Sequence, residues 1–222
     1  MTHHTVQHGT ATMEKGLSAS PARVFAAWAD PEQRKVWGSP SDEIDMRIDA
    51  ADFSVGGEDV TTCLAGGEAV AVVRGRYHDI VPDKRIVYTE IIASMEATEG
   101  ACLVSVEFLP DGEGTRLVIT LQTVALDGSA LLEEAQAGWG SALIRLAVGS
   151  AHARGCNAFF ATVQAANQAL FESLHWRTLR SLDLHGRPHV LMRADLAHYP
   201  PVHGGTLPLV AVGRRASCPS PP

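Results

Sequence analysis

The stretch "AQAGWGSALIRLAVGSAHARGC", residues 135–156, is central to the fold because it is compatible with two different structures. As a turn, "GWGSAL" would offer the backbone N–H groups of Gly138 and Gly140 to a phosphate at a helix N-terminus. As a helix, it continues an apolar stripe that steps by three and four residues. This stripe comprises Leu132, Ala135, Trp139, Leu143 and Leu146.

The residues that precede this stretch favour the helix. They read "VALDGSALLEEA", residues 124–135, which is typical of a helix start and not of a strand that leads into a phosphate turn. Each glycine costs a helix about 1 kcal/mol relative to alanine. Burial of Trp139 between Gly138 and Gly140 outweighs that cost. The sequence therefore predicts one long helix.

Upstream of it, the pattern predicts a strand, two short helices and a meandering sheet. Ser20 before Pro21, and Asp30 before Pro31, are helix start signals, in which a capping side chain precedes a proline. Between residues 43 and 123 about six runs alternate apolar and polar residues, and tight turns such as "PDGEG" separate them. We expect an α+β helix-grip fold, in which the antiparallel sheet wraps around the long helix and leaves a cavity.

Several short stretches of the sequence resemble one known family. They are "SASPARVFAAWADPEQRKVW", "VGG", "GRYHDIVPDKRIVYTE", "VSVEFLPDGEGTRLVIT" and "GWGSALIRLA". Over residues 10–148 they resemble the Hsp90-ATPase-activator-homologue branch of the START-like (SRPBCC) superfamily. The positions that match its closing pattern are Pro82, Gly138, Trp139, Leu143 and Leu146. The resemblance implies the helix-grip fold and a hydrophobic cavity, but no set of catalytic residues.

A second resemblance covers residues 138–198. The words "AFFATVQ", "NQALFESL", "HWRTL" and "HGRPHVLMRADL" resemble the C-terminal part of a GNAT N-acetyltransferase. It implies an appendage of strand, helix, strand and strand, with acetyl-CoA near Gly138, Gly140 and Asn167. Two departures weigh against a working transferase. Gln136 lies two positions before the first glycine, where that family has three, and Phe171 replaces a tyrosine that serves as general acid.

These patterns predict four segments. Residues 1–9 form a flexible N-terminus, 10–154 the helix-grip domain, 155–200 the GNAT-like fragment, and 201–222 a disordered tail. The fragment is too small to bury its own apolar residues. It must therefore pack on the helix-grip domain or on a second copy of the chain, and we expect a homodimer.

Composition excludes several functional classes. Residues 1–150 carry 22 acidic and 11 basic side chains, which argues against binding to nucleic acid. No apolar run reaches the length of a membrane helix, and no secretory signal is recognisable. Cys63, Cys102, Cys156 and Cys218 are widely spaced, which predicts scattered thiols in a reducing compartment, the cytoplasm. We expect no metal site, because the histidines at residues 3, 4 and 8 lie in the flexible N-terminus.

The alternation along the strands and the helical spacing of apolar residues predict that several side chains face the expected cavity. They are Trp37, Tyr77, Tyr88, Phe108, Trp139 and Leu143. Glu90 shares parity with Tyr88, which makes it the one acidic candidate for the cavity face, but a charge at the sheet edge is the favoured interpretation. We expect binding of a small hydrophobic molecule, with no assigned catalysis and no cofactor. The alternatives are acetyl transfer from acetyl-CoA and a chaperone-cofactor or stress-response role.

Overall fold

The computed structural model describes residues 6–126, 128–184 and 186–203. The expected disordered tail lies outside these residues from position 204 onward, as do Cys218 and the histidines at positions 3 and 4. Part of the expected flexible N-terminus is ordered instead. Strand β1 begins at Gln7, because its pairing with the last strand of the main sheet extends to the pair Gln7–Ala125.

The main sheet has seven antiparallel strands, which confirms the expected α+β fold. The strands are β1 (Gln7–Leu17), β2 (Ile44–Ala51), β3 (Glu58–Ala65), β4 (Glu68–Val81), β5 (Arg85–Ser94), β6 (Thr98–Asp111) and β7 (Gly114–Ala125). Their order in the sheet is β1-β7-β6-β5-β4-β3-β2, so each strand from β2 to β7 pairs with its neighbour in sequence. β1 pairs with β7 and forms one edge of the sheet, and β2 forms the other edge.

Two short helices, α1 (Pro21–Ala29) and α2 (Pro31–Trp37), follow β1. Both begin where the proline signals predicted. The Asp30 carboxylate caps α2 by accepting a hydrogen bond from the Glu32 N–H at 2.9 Å. Ser20 occupies the N-cap position of α1, but its hydroxyl makes no capping hydrogen bond. These helices place Trp28 and Trp37 against the inner face of the sheet, where both are buried.

The long helix α3 (Leu131–Ala153) contains the whole of "GWGSAL". The first half of α3 is buried on one side only, and its residues 133, 134, 136 and 137 are exposed. From Ser141 to Ala151 every residue except Arg145 is buried. A helix that is buried on all sides must be covered by more than one layer of structure.

The second layer is a small three-stranded antiparallel sheet. It contains β8 (Phe160–Gln164), β9 (Trp176–Leu184) and β10 (Arg187–Ala194), in the order β8-β10-β9. Helix α4 (Gln168–Ser173) connects β8 to β9, and 3₁₀ turns lie at residues 165–167 and 196–198. The order of elements is the strand, helix, strand and strand expected for the appendage.

Helix α3 lies between two hydrophobic cores. Leu143 and Leu146 belong to the core under the main sheet, whereas Ile144 and Val148 pack with β8, β9 and β10. The buried residues of the second core are Ile144, Val148, Val163, Leu174, Trp176, Val190, Met192, Ala194 and Tyr199. Much of the apolar surface that suggested a homodimer is thus covered within the chain, and the homodimer stays a prediction.

Two of the cysteines, Cys63 and Cys102, are free thiols. The cytoplasmic location stays a prediction. In the part of the chain that the structure describes, no helix combines the length and the apolar character needed to cross a bilayer.

Candidate functional site

The site is a cavity of about 310 Å³ between the inner face of the main sheet and the helices α2 and α3. β3, β4 and β5 form its floor, and Gly38, Pro40 and Met46 lie at one side. The side chains of α3 that face it are Leu131, Glu134, Ala135, Trp139 and Ala142. Its volume lies at the lower end of the range for small-molecule sites in proteins.

Four of the six residues expected in this cavity lie on its wall. They are Trp37, Tyr77, Tyr88 and Trp139. Phe108 and Leu143 do not line the cavity and belong to the hydrophobic core under the main sheet. Phe108 lies beyond the cavity because α1 covers that part of β6, where Phe108 contacts Phe25 and Trp28 edge to face. The alternation along each strand identified the side chains that face inward. It did not identify which of them lie next to the cavity.

The aromatic side chains of the cavity form two groups, one on the helices and one on the sheet. Trp139 stacks on Trp28, with ring centroids 5.7 Å apart and planes inclined by 12°. Trp28 also contacts Trp37 at 4.9 Å, and the Trp37 indole N–H donates to the Ala27 carbonyl at 3.2 Å. Tyr77 and Tyr88 face each other across β4 and β5 at 5.5 Å. These contacts fix the rings in place before any ligand arrives.

One row of residues across the sheet is polar. In register, Asp59 pairs with Gly75, Gly75 with Glu90, Glu90 with Cys102, and Cys102 with Thr123. Paired residues of adjacent strands lie on the same face of a sheet, so these side chains share the inner face. Gly75 contributes no side chain, which leaves space between the carboxyl groups of Asp59 and Glu90. The row forms a polar floor in an otherwise apolar cavity.

Asp59 is neutralised by Arg34 of α2. The Arg34 Nη1 donates to the Asp59 carboxylate and to the Tyr77 hydroxyl at 2.8 Å, and that hydroxyl donates to Asp59 at 2.9 Å. Burial lowers the pKa of Arg34, but Tyr77 and the Asp59 carboxylate together raise it by more, so the guanidinium stays charged. Among the described residues, the Nε and Nη2 atoms of Arg34 have no hydrogen-bond partner, and both are sealed from solvent.

Glu90 has no such partner. Among the described residues none donates a hydrogen bond to its carboxyl group or pairs with it as an ion. Burial raises the pKa of Glu90 to about 7, the negative charge of Asp59 adds to this effect, and the positive charge of Arg34 opposes it. Glu90 lies on the cavity face, and its favoured interpretation as a charge at the sheet edge is wrong.

The two thiols of the cavity are not activated. Burial raises the pKa of Cys63 and that of Cys102, and the nearby charge of Glu90 raises both further. A thiol with a raised pKa remains protonated and is a poor nucleophile. The Cys102 sulfur also lies 3.2 Å from the Thr123 hydroxyl. In the described residues no group of histidine, cysteine and carboxylate side chains is arranged to hold a metal ion.

Sequence reasoning missed Arg34 and Asp59. Both residues lie in elements that the sequence predicted: Asp59 lies in a strand, and Arg34 lies one turn before the end of helix α2. Their pairing depends on the contact between α2 and β3, which lie more than 20 positions apart in sequence. No short-range signal encodes that contact.

The residues expected to hold acetyl-CoA are placed differently. Gly138 and Gly140 lie in the interior of α3, where backbone N–H groups are already used in the helix. Gly138 lines the cavity, whereas Gly140 does not. Asn167 is exposed in the 3₁₀ turn after β8, outside the cavity. The second resemblance stays a prediction.

A family model described as "Activator of Hsp90 ATPase homolog 1-like protein" matches residues 18–148, which is more than half of the chain. The chain belongs to this family. The match ends within α3, so the small sheet lies beyond it. No curated protein matches the chain.

Solved structures with the same fold include three bacterial proteins. Mll3558 from Rhizobium loti is 34% identical over 64% of this chain and 96% of its own, with a TM-score of 0.56. A putative uncharacterized protein from Rhizobium leguminosarum is 30% identical over 65% and 98%, also at 0.56. CV1439 from Chromobacterium violaceum is 28% identical over 62% and 94%, at 0.56. These similarities support the START-like fold of the family.

Proposed function

We propose that this protein binds a small, largely apolar molecule in the cavity between the sheet and α3. The observation that supports this most strongly is the aromatic wall of Trp28, Trp37 and Trp139 around space that no side chain of the described residues fills. Apolar cavities with a few fixed polar groups are typical of small-molecule sites. The two thiols that line the cavity, Cys63 and Cys102, are not activated as nucleophiles, and the proposal is binding with no assigned catalysis.

The two alternatives have weaker support. Acetyl transfer would need free N–H groups at Gly138 and Gly140, and both lie inside α3. A role as a chaperone cofactor is suggested by the description of the family, and no feature of the cavity argues for it.

Thermal unfolding with 1-naphthylmethanol, a neutral aromatic probe, tests the proposal. A ligand at about a hundred times its Kd stabilises the folded state by about 2.7 kcal/mol, which raises Tm by about 5 °C or more in a chain of this size. Acetyl-CoA should leave Tm unchanged. A rise with acetyl-CoA and none with the probe would contradict the proposal and favour the transferase.

Two variants of α3 locate the site. Trp139→Ala removes a wall of the cavity and should weaken binding of the probe at least tenfold. Leu143→Ala, one turn further along, removes a core residue that does not line the cavity. It should lower Tm but retain the probe-induced rise. Equal loss of binding in both variants would place the site elsewhere.

A further inference from the structure

We infer that the ligand of this cavity is an organic cation, an apolar molecule whose protonated amine pairs with the Glu90 carboxylate. This inference rests on the proposed function and deepens it by naming the chemical class of the ligand.

The first argument is the balance of charge around the cavity. Its ionisable carboxyl groups are Asp59, Glu90 and Glu134, and Arg34 is its one basic side chain among the described lining residues. Arg34 is already paired with Asp59 and hydrogen-bonded to Tyr77. Its remaining nitrogens are sealed from solvent, so a ligand in the cavity has no access to them. Among the residues that the structure describes, none serves as a counter-ion for the carboxyl group of Glu90.

The second argument is the nature of the walls. Tyr88 lies two residues from Glu90 on the same face of β5, and Tyr77 faces Tyr88 from β4. Trp28, Trp37 and Trp139 complete the wall on the helical side. The faces of aromatic rings attract cations, and rings combined with a carboxylate are a recurrent arrangement for binding organic ammonium groups.

The same features disfavour a ligand that carries an acid. Its carboxylate would lie near Asp59 and Glu90 and would find no free cationic donor to offset the repulsion. A buried ionised group that lacks a partner is strongly disfavoured. An alcohol of the same shape would donate a hydrogen bond to the Glu90 carboxylate, but it would leave the charge of that carboxylate without a counter-ion.

Three probes of one shape test the inference: 1-naphthylmethylamine, 1-naphthylmethanol and 1-naphthoic acid. Calorimetric titration of the full chain at pH 8 should give an affinity for the amine about tenfold above that for the alcohol, with the acid weakest. Glu90→Gln should remove the advantage of the amine and retain binding of the alcohol, which also shows that its cavity is intact. Glu107→Gln is the matched control, because it removes an exposed carboxylate from the outer face of β6 and should preserve the order.

The outcomes separate the two proposals. If the alcohol binds and the amine has no advantage over it in the unmodified protein, or the acid binds best, the cation inference is wrong and the binding function stands. If Glu90→Gln keeps the full advantage of the amine, Glu90 does not contact it, which also overturns the inference. If none of the three probes binds, both proposals are wrong.

Discussion

Leu143 and Ile144 are adjacent in α3 and belong to different hydrophobic cores. Leu143 packs under the seven-stranded sheet, and Ile144 packs against the small sheet of β8, β9 and β10. Consecutive residues of a helix point about 100° apart, so one helix can serve both layers. The stretch that allowed two structures is therefore one helix shared by both parts of the chain.

Alanine at each of these two positions should loosen a different part of the protein. Each change removes a buried aliphatic side chain and should destabilise the fold by about 2–5 kcal/mol. Ile144→Ala should increase amide exchange mainly in β8 and β10, whereas Leu143→Ala should increase it mainly in β1 and β7, the strands of the main sheet that α3 contacts. Hydrogen exchange read by mass spectrometry measures both. The same pattern of increased exchange in both variants would show that the two cores are not separable.

The helix glycines should respond in opposite ways to alanine. A Cβ on Gly140 meets no atom within 4 Å, so Gly140→Ala should stabilise the protein by about 1 kcal/mol. A Cβ on Gly149 would lie 2.6 Å from Val202 Cγ2 and 2.9 Å from the Pro200 carbonyl oxygen. Gly149→Ala should therefore destabilise by about 1–3 kcal/mol. Urea unfolding measures both, and stabilisation by Gly149→Ala would show that the segment after β10 does not pack on α3.

Glu90 should make the protein less stable as pH rises. Its pKa is raised from 4.5 to about 7, so the folded state holds the proton more tightly than the unfolded state does. The free energy of unfolding should therefore fall by about 3 kcal/mol between pH 4.5 and pH 7 through this group. Besides burial, the charges that act on Glu90 are those of Asp59 and Arg34. Burial raises the pKa of Cys63, Tyr88 and Cys102, Glu90 in turn raises it further, and the acidic Glu134 lines the same cavity.

Glu90→Gln tests this, because the amide does not titrate. Urea unfolding at pH 4.5 and pH 8 should show the variant gaining stability relative to the unmodified protein as pH rises. Glu107→Gln, which changes the net charge equally, should show no such gain. An unchanged difference between Glu90→Gln and the unmodified protein at the two pH values would mean that Glu90 titrates normally.

Binding of the amine should depend on pH in the opposite sense to stability. The ammonium group pairs with the ionised form of Glu90, and an aliphatic amine like that of lysine stays protonated between pH 6 and pH 8. Its affinity should therefore rise several-fold across this range and level off above it. Titrations with 1-naphthylmethanol over the same range should show a smaller change. Equal pH dependence for the two probes would argue against pairing with Glu90.

The outline of the fold was predictable because its signals are local. The proline starts of α1 and α2, the alternation along β2 to β7 and the apolar spacing of α3 each lie within a few residues of sequence. The alternation likewise placed Tyr77 and Tyr88 on the inner face, whereas Glu90 was expected at the sheet edge. Such signals report which side of an element is apolar, and they say little about what covers that side.

The sequence by itself determined the order of the elements, the face that each strand turns inward and the helical nature of "GWGSAL". Only the tertiary structure decided which inward side chains border open space, so that Trp139 lines the cavity while Phe108 and Leu143 fill the core. It also decided that Arg34 pairs with Asp59, so that within the described part of the chain Glu90 has no ion-pair partner. The physical reason is that cavities and ion pairs arise from contacts between elements that are distant in sequence. The residue pattern within one element does not specify how close another element lies to it.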